Sequence, residues 1–230
     1  MEQNYNKKYY EFNNQDKDRL GNLFYSNIIK KNFKIKSYLD FGCGVGFLLK
    51  RIEKISNIKT YGYEVNKFAV NKCLLNTKKS IIYKNLDEIN EKFDLISLIH
   101  VVEHVASEDL KALFKKLITK LNYNGKILIS TPAKNALAHN LKKSKWIGFK
   151  DPTHINLKDF NEWKDFFEDI NLEIVKSSND GLWDFPYKKM TFNLKYLKIL
   201  LLMFFQIFFG SLFLKHDEGE TLVLILKNNI

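Results

Sequence analysis

The sequence predicts an α/β fold in which helices cover both faces of a mostly parallel β-sheet. Between residues 37 and 130, short apolar runs alternate with amphipathic stretches of helical spacing, which is the rhythm of such folds. The chain has 230 residues and 45% hydrophobic content, enough to bury the core of one α/β domain. We therefore expect a single domain over 1–230, with a helical N-terminal cap over 1–35. We also expect an apolar helical insertion over 182–217, between the last two strands.

Each element follows from its own local pattern. Five strands are predicted in the first half, at Ser37–Phe41, Lys59–Tyr63, Ser80–Tyr83, Phe93–Ile99 and Lys126–Ser130. Helices are predicted at Phe47–Ile55, Lys67–Asn76 and Ser107–Leu121, and a turn at Asn122–Gly125. In the second half we expect a helix over Asn156–Asp169 and strands over Leu172–Ser177 and Glu220–Lys227.

The charge and the cysteine count limit the function classes. Two cysteines, Cys43 and Cys73, are too few for a disulfide framework or a four-cysteine metal site. Together with an N-terminus that lacks a signal pattern, they predict a protein of the reducing cytoplasm. The net charge of +11 suits nucleic acid, an anionic membrane surface or a phosphorylated substrate. A solvated lysine coat that reflects an AT-rich genome explains the charge equally well.

A glycine-rich turn, Asp40-Phe41-Gly42-Cys43-Gly44-Val45-Gly46, ends the first strand and opens a helix. Glycines allow a tight turn and close approach to a ligand, and the helix N-terminus offers free N–H groups. The third glycine comes one residue too early for the NAD fingerprint. Glu64, at the end of the next strand, offers a carboxylate that can accept both ribose hydroxyls of a nucleoside. The alternative is a purely structural strand–helix turn.

The string Leu-Asp-Phe-Gly-Cys-Gly-Val-Gly resembles motif I of the class I S-adenosylmethionine-dependent methyltransferases, and later landmarks follow in the family's order. The resemblance implies a Rossmann-like, seven-stranded, mostly parallel sheet with one antiparallel strand, and S-adenosylmethionine as cofactor. It looks closest to the small-molecule methylases of ubiquinone pathways and polysaccharide tailoring. It implies that the cofactor is bound by Tyr10, Asp40, Gly42, Cys43, Gly44, Gly46, Glu64, Val65, Leu86, Asp87 and His100. The preceding Tyr9 belongs to the same aromatic pair, for which core packing is the alternative.

Three histidines are candidate catalytic bases for a hydroxyl acceptor. His100 follows the fourth strand, where open α/β sheets bind ligands, and His104 lies just beyond it. His154 begins a His-Ile-Asn string that resembles the one found in similar proteins in the loop that closes over the active site. We expect His154 to be the base. The alternatives are that His104 only forms hydrogen bonds in its loop, and that His154 or Asn156 only caps a helix.

His100 to His104 also spell H-x-x-E-H, a metalloprotease pattern. That pattern needs both histidines on one helix, whereas His100 ends an apolar strand, so we do not favour a protease. Glu103 and His104 resemble residues of some ubiquinone-pathway methylases that bind a divalent ion. Relatives often have an acid in place of His100, and we therefore expect no metal.

The most apolar segment of the chain is Lys195–Leu214, which contains an uncharged run from Ile199 and is followed by Lys215. The uncharged run, Ile199–Leu214, has 16 residues, fewer than the roughly 20 of a spanning helix, and the last strand must return to the sheet. We expect peripheral contact with the inner face of a membrane. Packing on the domain or on a second subunit, as in a homodimer, is the alternative.

The resemblance favours an O-methyltransferase acting on a small or lipid-linked acceptor, such as a sugar of a surface polysaccharide or a quinone-like hydroxyl. The charge makes an RNA methyltransferase the main alternative. However, no Asn/Asp-Pro-Pro-aromatic motif follows the fourth strand and no RNA-binding module is recognisable, so we do not expect a nucleic-acid partner. The third possibility is a regulator that binds the cofactor without catalysis.

Overall fold

A seven-stranded mixed β-sheet organises the chain. The computed structural model describes residues 10, 15–184, 187 and 194–229. The strand order is β3-β2-β1-β4-β5-β7-β6. β7 runs antiparallel to both β5 and β6, and the other strands are parallel to one another. The predicted fold class is therefore confirmed, including its single antiparallel strand.

The element bounds follow the sequence pattern closely. The strands are β1 (Ser37–Phe41), β2 (Lys59–Tyr63), β3 (Ile81–Tyr83), β4 (Phe93–Ile99), β5 (Leu121–Pro132), β6 (Leu172–Asn179) and β7 (Thr221–Asn228). The α-helices are α1 (Leu20–Asn32), α2 (Phe47–Ile52), α3 (Lys67–Asn76), α4 (Ser107–Thr119), α5 (Leu137–Lys142), α6 (Ile147–Lys150), α7 (Phe160–Glu168) and α8 (Leu194–Phe209). Short 3₁₀ turns occupy Leu86–Glu88, Val102–His104 and Lys143–Lys145.

Two sequence-based boundaries were wrong for local reasons. α7 begins at Phe160 rather than Asn156, because Asp159 caps it: its carboxylate accepts the Glu162 N–H, and the Glu162 carboxylate accepts the Asp159 N–H. The turn expected at Asn122–Gly125 lies inside β5 as an irregularity. There Phe93 of β4 pairs with Leu121 of β5, whereas Leu95, only two residues further along β4, pairs with Lys126. Asn124, between the two β5 residues, has a φ of 65°.

The sheet separates two apolar layers. One face packs against α4 and α7, with Phe114, Trp163 and Phe167 fully buried. The other packs against α1, α2 and α8, with Phe24 and Ile28 at its centre. Both faces are covered, and the ligand-binding edge is therefore the one where the parallel strands end.

α8 lies between β6 and β7, where the apolar insertion was expected. Among the described residues, no helix is long and apolar enough to cross a membrane. The division into one domain, an N-terminal cap and an insertion over 182–217 stays a prediction, and most of the first 14 residues lie outside the described part of the chain.

Candidate active site

A cavity of about 440 Å³ opens where β1, β2 and β4 end. This volume lies within the range of small-molecule sites, roughly 300–1,000 Å³. Ten of the predicted site residues line it: Tyr10, Asp40, Gly42, Cys43, Gly44, Gly46, Glu64, Val65, His100 and His104. The sheet thus brings together residues that are up to 94 positions apart, from Tyr10 to His104.

The glycines of the turn are required by its geometry. Gly42, Gly44 and Gly46 have φ angles of 77°, 52° and 86°, in the left-handed region that side chains disfavour. A Cβ on Gly42 would lie 2.6 Å from Val101 Cγ2, and one on Gly46 2.5 Å from Cys73 Sγ. A Cβ on Gly44 would meet only Tyr10, at 3.8 Å. Gly44 is therefore the turn's open position, where a ligand can approach the backbone.

Glu64 is buried in the cavity wall and already tied to the turn. Its Oε2 accepts the Gly44 N–H at 2.9 Å, and its Oε1 accepts the Asn66 N–H at 2.8 Å. Each oxygen keeps a lone pair for a further donor, such as a ribose hydroxyl. Burial raises the pKa of Glu64, and the backbone bonds from Asn66 and Gly44 oppose that rise.

Asp40 is the second carboxyl group of the cavity. A chain of hydroxyls reaches it: Tyr38 Oη lies 2.7 Å from Ser97 Oγ, which donates to Asp40 Oδ1 at 2.7 Å. Burial raises the pKa of Asp40 to about 6, and the bond from Ser97 opposes the rise. Asp40 and Glu64 together give the cavity an acidic wall, which suits a cationic ligand.

Some cofactor predictions are not placed in the cavity wall, and other lining residues were missed. Leu86 is buried elsewhere in the core, and Asp87 is exposed and forms an ion pair with Lys116 at 3.2 Å. Arg19 and Asn22, at the start of α1, line the cavity although no motif singled them out. Only the fold brings the start of this helix to the sheet edge.

His100 lies in the cavity with its ring held by a buried carboxylate. It has a left-handed φ of 56°, which is rare for a side-chain-bearing residue and concentrates at functional sites. Its Nδ1 lies 3.2 Å from Glu103 Oε1, and Glu103 is fully buried. Burial raises the pKa of Glu103, but the hydrogen bond and charge of His100 and the charge of His104 outweigh it, so the net shift is downward. Because Nδ1 donates to this carboxylate, Nε2 keeps its lone pair.

His104 also lines the cavity, and His154 lies behind it. The His104 Nδ1 donates to the backbone oxygen of Thr153 at 3.2 Å, so Nε2 holds the lone pair. Burial lowers the pKa of His104, and the charge of Glu103 opposes that fall. His154 Nδ1 donates to the Gly148 carbonyl at 2.9 Å, and its ring centroid lies 4.8 Å from that of His104.

The loop that carries His154 is bound to the loop after β4. The Glu103 carbonyl accepts the N–H groups of Ile155 and Asn156, both at 3.0 Å, and the Asn156 side chain donates to Val105 O at 2.9 Å. The His-Ile-Asn and Glu-His-Val strings therefore belong to one unit. The alternative in which His154 or Asn156 caps the helix is wrong, because Asp159 is the N-cap.

Glu103, His104 and His154 each offer one ligand atom, and these atoms lie within 4.8 Å of one another. Glu103 Oε2 has no hydrogen-bond partner among the described residues. The two imidazole lone pairs and this carboxylate form a donor set of the kind that holds a divalent cation. His100, in contrast, is held by the other oxygen of Glu103.

The sequence model of a known family, described as "Methyltransferase domain", matches residues 5–177. The chain belongs to this methyltransferase family. No curated protein sequence matches it. The predicted cofactor, S-adenosylmethionine, agrees with the family and with its structural neighbours.

Solved structures of methyltransferases share the fold. A SAM-dependent methyltransferase from Archaeoglobus fulgidus has a TM-score of 0.66 at 19% identity, covering 96% of this chain and 99% of that one. The plantazolicin methyltransferase BpumL, in complex with a monoazolic desmethylPZN analog and SAH, has a TM-score of 0.66 at 15% identity, covering 97% of this chain and 91% of that one. The mitomycin 7-O-methyltransferase MmcR has a TM-score of 0.59 at 11% identity, covering 91% and 53%. At these identities the likeness shows the fold, whereas the subfamily expected from the motifs stays a prediction.

Proposed function

We propose that this methyltransferase transfers the methyl group of S-adenosylmethionine to a hydroxyl of a small or lipid-linked acceptor, such as a surface-polysaccharide sugar or a quinone-like ring. The observation that carries the proposal is one cavity lined both by the turn of Gly44 with Glu64 and by His100, whose Nδ1 lies 3.2 Å from the buried Glu103 carboxylate. The first feature suits a nucleoside, and the second offers a base within the same space.

The residues present fit the cofactor. Glu64 is placed to accept the ribose hydroxyls, and Gly44 leaves the backbone open beside it. The acidic wall that includes Asp40 suits the cationic sulfonium, and Arg19 suits the carboxylate at the other end of the cofactor. When bound, S-adenosylmethionine supplies an electrophilic methyl group. The role of the chain is to orient the acceptor towards it, exclude water and take up a proton.

His100 fits the role of base better than His154 does. Its lone pair at Nε2 belongs to a ring in the cavity wall, and Glu103 fixes its tautomer and stabilises the imidazolium that forms when it accepts a proton. We propose that His104 acts beside it, and that His154 acts through its contact with His104. The assignment of Leu86 and Asp87 to the adenine end stays a proposal.

We also propose that the enzyme works in the cytoplasm at the inner face of a membrane, through Lys195–Leu214, with a second copy of the chain as the alternative partner of that segment. A lipid-linked acceptor would be encountered there. The bilayer surface would also account for part of the +11 net charge.

Two measurements test the function. Calorimetry should show S-adenosylmethionine binding to the full-length protein and its loss, by about tenfold or more, in Glu64→Ala. Methyl-labelled cofactor is then offered with lipid, polysaccharide and RNA fractions of the source cell. Label in lipid or polysaccharide supports the proposal, and alkaline stability of the product distinguishes an ether from an ester. Label confined to RNA would refute the acceptor class, and binding without transfer to any fraction would indicate a regulator.

A further inference from the structure

The helix α8 exposes large apolar side chains on the face that points away from the protein. Six of them, each between 44% and 61% exposed, continue over its length: Leu197, Leu201, Phe204, Phe205, Phe208 and Phe209. The phenylalanines contact each other, with ring centroids 4.7 Å apart for Phe204 and Phe208. Single exposed apolar residues are ordinary, but a continuous aromatic face marks an interaction site.

The polar side chain in the apolar middle of α8, Gln206, faces inward, the reverse of an ordinary surface helix. Gln206 is fully buried and donates to the Asn179 carbonyl at 3.0 Å. Its oxygen accepts the N–H groups of Phe213 and Leu214, at 2.6 and 2.8 Å. These bonds satisfy the buried amide and fix which face of the helix points outward. The outward apolar face is therefore built into the fold.

The helix is held firmly on α1. Asn27 Nδ2 donates to the Ile207 carbonyl and Asn32 Nδ2 to the Gly210 carbonyl, both at 2.7 Å. Gly210, just after the helix, has a φ of 65°, and a Cβ there would lie 2.1 Å from Asn27 O. With the backbone fixed so closely, the outward face is preformed.

We propose that this outward face of α8 docks into the interface of an anionic bilayer. Sixteen residues span about 24 Å, which is too short to cross a hydrocarbon core of roughly 30 Å but suits a helix lying in the interface. Residues 194–216 contain no acid. Exposed lysines lie at both ends, Lys198 in the first turns and Lys215 after the helix. Lys30 and Lys31 lie in the last turn of α1, next to Asn32 that holds the end of α8.

The same charges oppose a second copy as the occupant. In an antiparallel pairing of two α8 helices, Lys198 of one copy would approach Lys215 of the other, and no acid of the segment could compensate. Anionic head groups complement both ends at once.

Vesicle sedimentation with the full-length protein tests the proposal, without cofactor or acceptor, so its outcome does not depend on the proposed methyl transfer. We expect binding to phosphatidylcholine vesicles that contain about 30% phosphatidylglycerol, and much weaker binding to phosphatidylcholine alone. Phe204→Glu/Phe208→Glu should weaken the partition by about tenfold or more. The matched control, Leu74→Glu/Leu75→Glu, places the same charges at exposed leucines of α3 and should bind as the parent does.

A second variant, Lys198→Glu/Lys215→Glu, alters only exposed charges and should also lower binding. It tests the proposal even if the phenylalanine variant does not fold. The proposal is overturned if the parent stays in the supernatant with anionic vesicles, or if both α8 variants bind like the control. A parent that is dimeric by light scattering and becomes monomeric in Phe204→Glu/Phe208→Glu would assign the face to a second copy instead.

Discussion

Alanine at Gly44 and at Gly46 separates the stability of the glycine-rich turn from its capacity to admit the cofactor. Both glycines have a left-handed backbone, so either alanine costs about 1–2 kcal/mol from conformation alone. At Gly46 the new Cβ also lies 2.5 Å from Cys73 Sγ and 3.1 Å from Cys73 Cα. Overpacking of this kind adds about 1–3 kcal/mol. We therefore expect Gly46→Ala to lose about 2–5 kcal/mol and Gly44→Ala about 1–2 kcal/mol.

Stability should be lost mainly in Gly46→Ala, whereas cofactor affinity should be lost in Gly44→Ala. The Cβ of Gly44→Ala meets only Tyr10, at 3.8 Å, and stands in the cavity beside the Glu64 carboxylate. S-adenosylmethionine affinity should therefore fall by about tenfold or more in a protein that is still well folded. Urea unfolding followed by circular dichroism measures the stabilities, and calorimetry measures the affinity.

A second substitution provides the control for the steric part. Cys73→Ala removes the sulfur that Gly46→Ala would strike, so it should recover about 1–2 kcal/mol of the loss at Gly46 and none of the loss at Gly44. The reasoning is refuted if Gly46→Ala is no less stable than Gly44→Ala, or if Gly44→Ala binds the cofactor with unchanged affinity.

Three further outcomes are expected. Glu103→Gln keeps the buried shape but removes the charge that supports His100, so kcat should fall about 10²–10⁴-fold with a changed pH–rate profile and unaltered cofactor affinity; unchanged turnover would contradict the pair. Asp87→Ala should lower S-adenosylmethionine affinity in calorimetry by less than Glu64→Ala does, because Asp87 is exposed whereas Glu64 is buried; unchanged affinity would argue against placing Asp87 at the adenine end. Burial raises the pKa of Glu220 from 4.5 to about 7. Protonation of Glu220 therefore stabilises the folded state by about 3 kcal/mol below pH 4.5, the pKa of the unfolded chain, and this stability is lost as pH rises through 7. Glu220→Gln should therefore gain stability relative to the parent between pH 5 and 8 in urea unfolding, and equal pH dependence would argue against it.

The glycine-rich turn and its position beside Glu64 could be predicted from the sequence because local rules determine them. The turn after β1 needs three left-handed residues, and this requirement specifies glycine at fixed positions after Asp40. Glu64 follows because the next parallel strand ends at the same edge. The mostly parallel sheet could also be predicted, because each strand and helix has its own local pattern and the two kinds of element alternate along the chain.

The positions of the histidines and of the start of α1 could not be predicted in this way, because they depend on contacts between distant segments. His154 was favoured as base from its loop, yet the fold places His100 in the cavity and His154 behind His104. The carboxylate that makes the difference, Glu103, was visible in the sequence but its burial was not. Arg19 reaches the cavity only through the packing of its helix against the sheet.

α1 links the two surfaces on which the proposed function depends. Arg19, its N-cap, and Asn22, in its first turn, line the cavity, and its second half holds α8 through Asn27 and Asn32. Tyr25, between them, bonds Ser130 at the end of β5, so the helix is fixed to the sheet at that point as well. α1 has 13 residues and is therefore about 20 Å long. The outward face of α8 and the cavity are separated by no more than that length along α1. This arrangement supports an acceptor that stays anchored in lipid while its reacting hydroxyl reaches His100. It also predicts that a soluble analogue lacking the lipid part will be methylated with a raised KM and an unchanged kcat, because the lipid contributes binding and not chemistry.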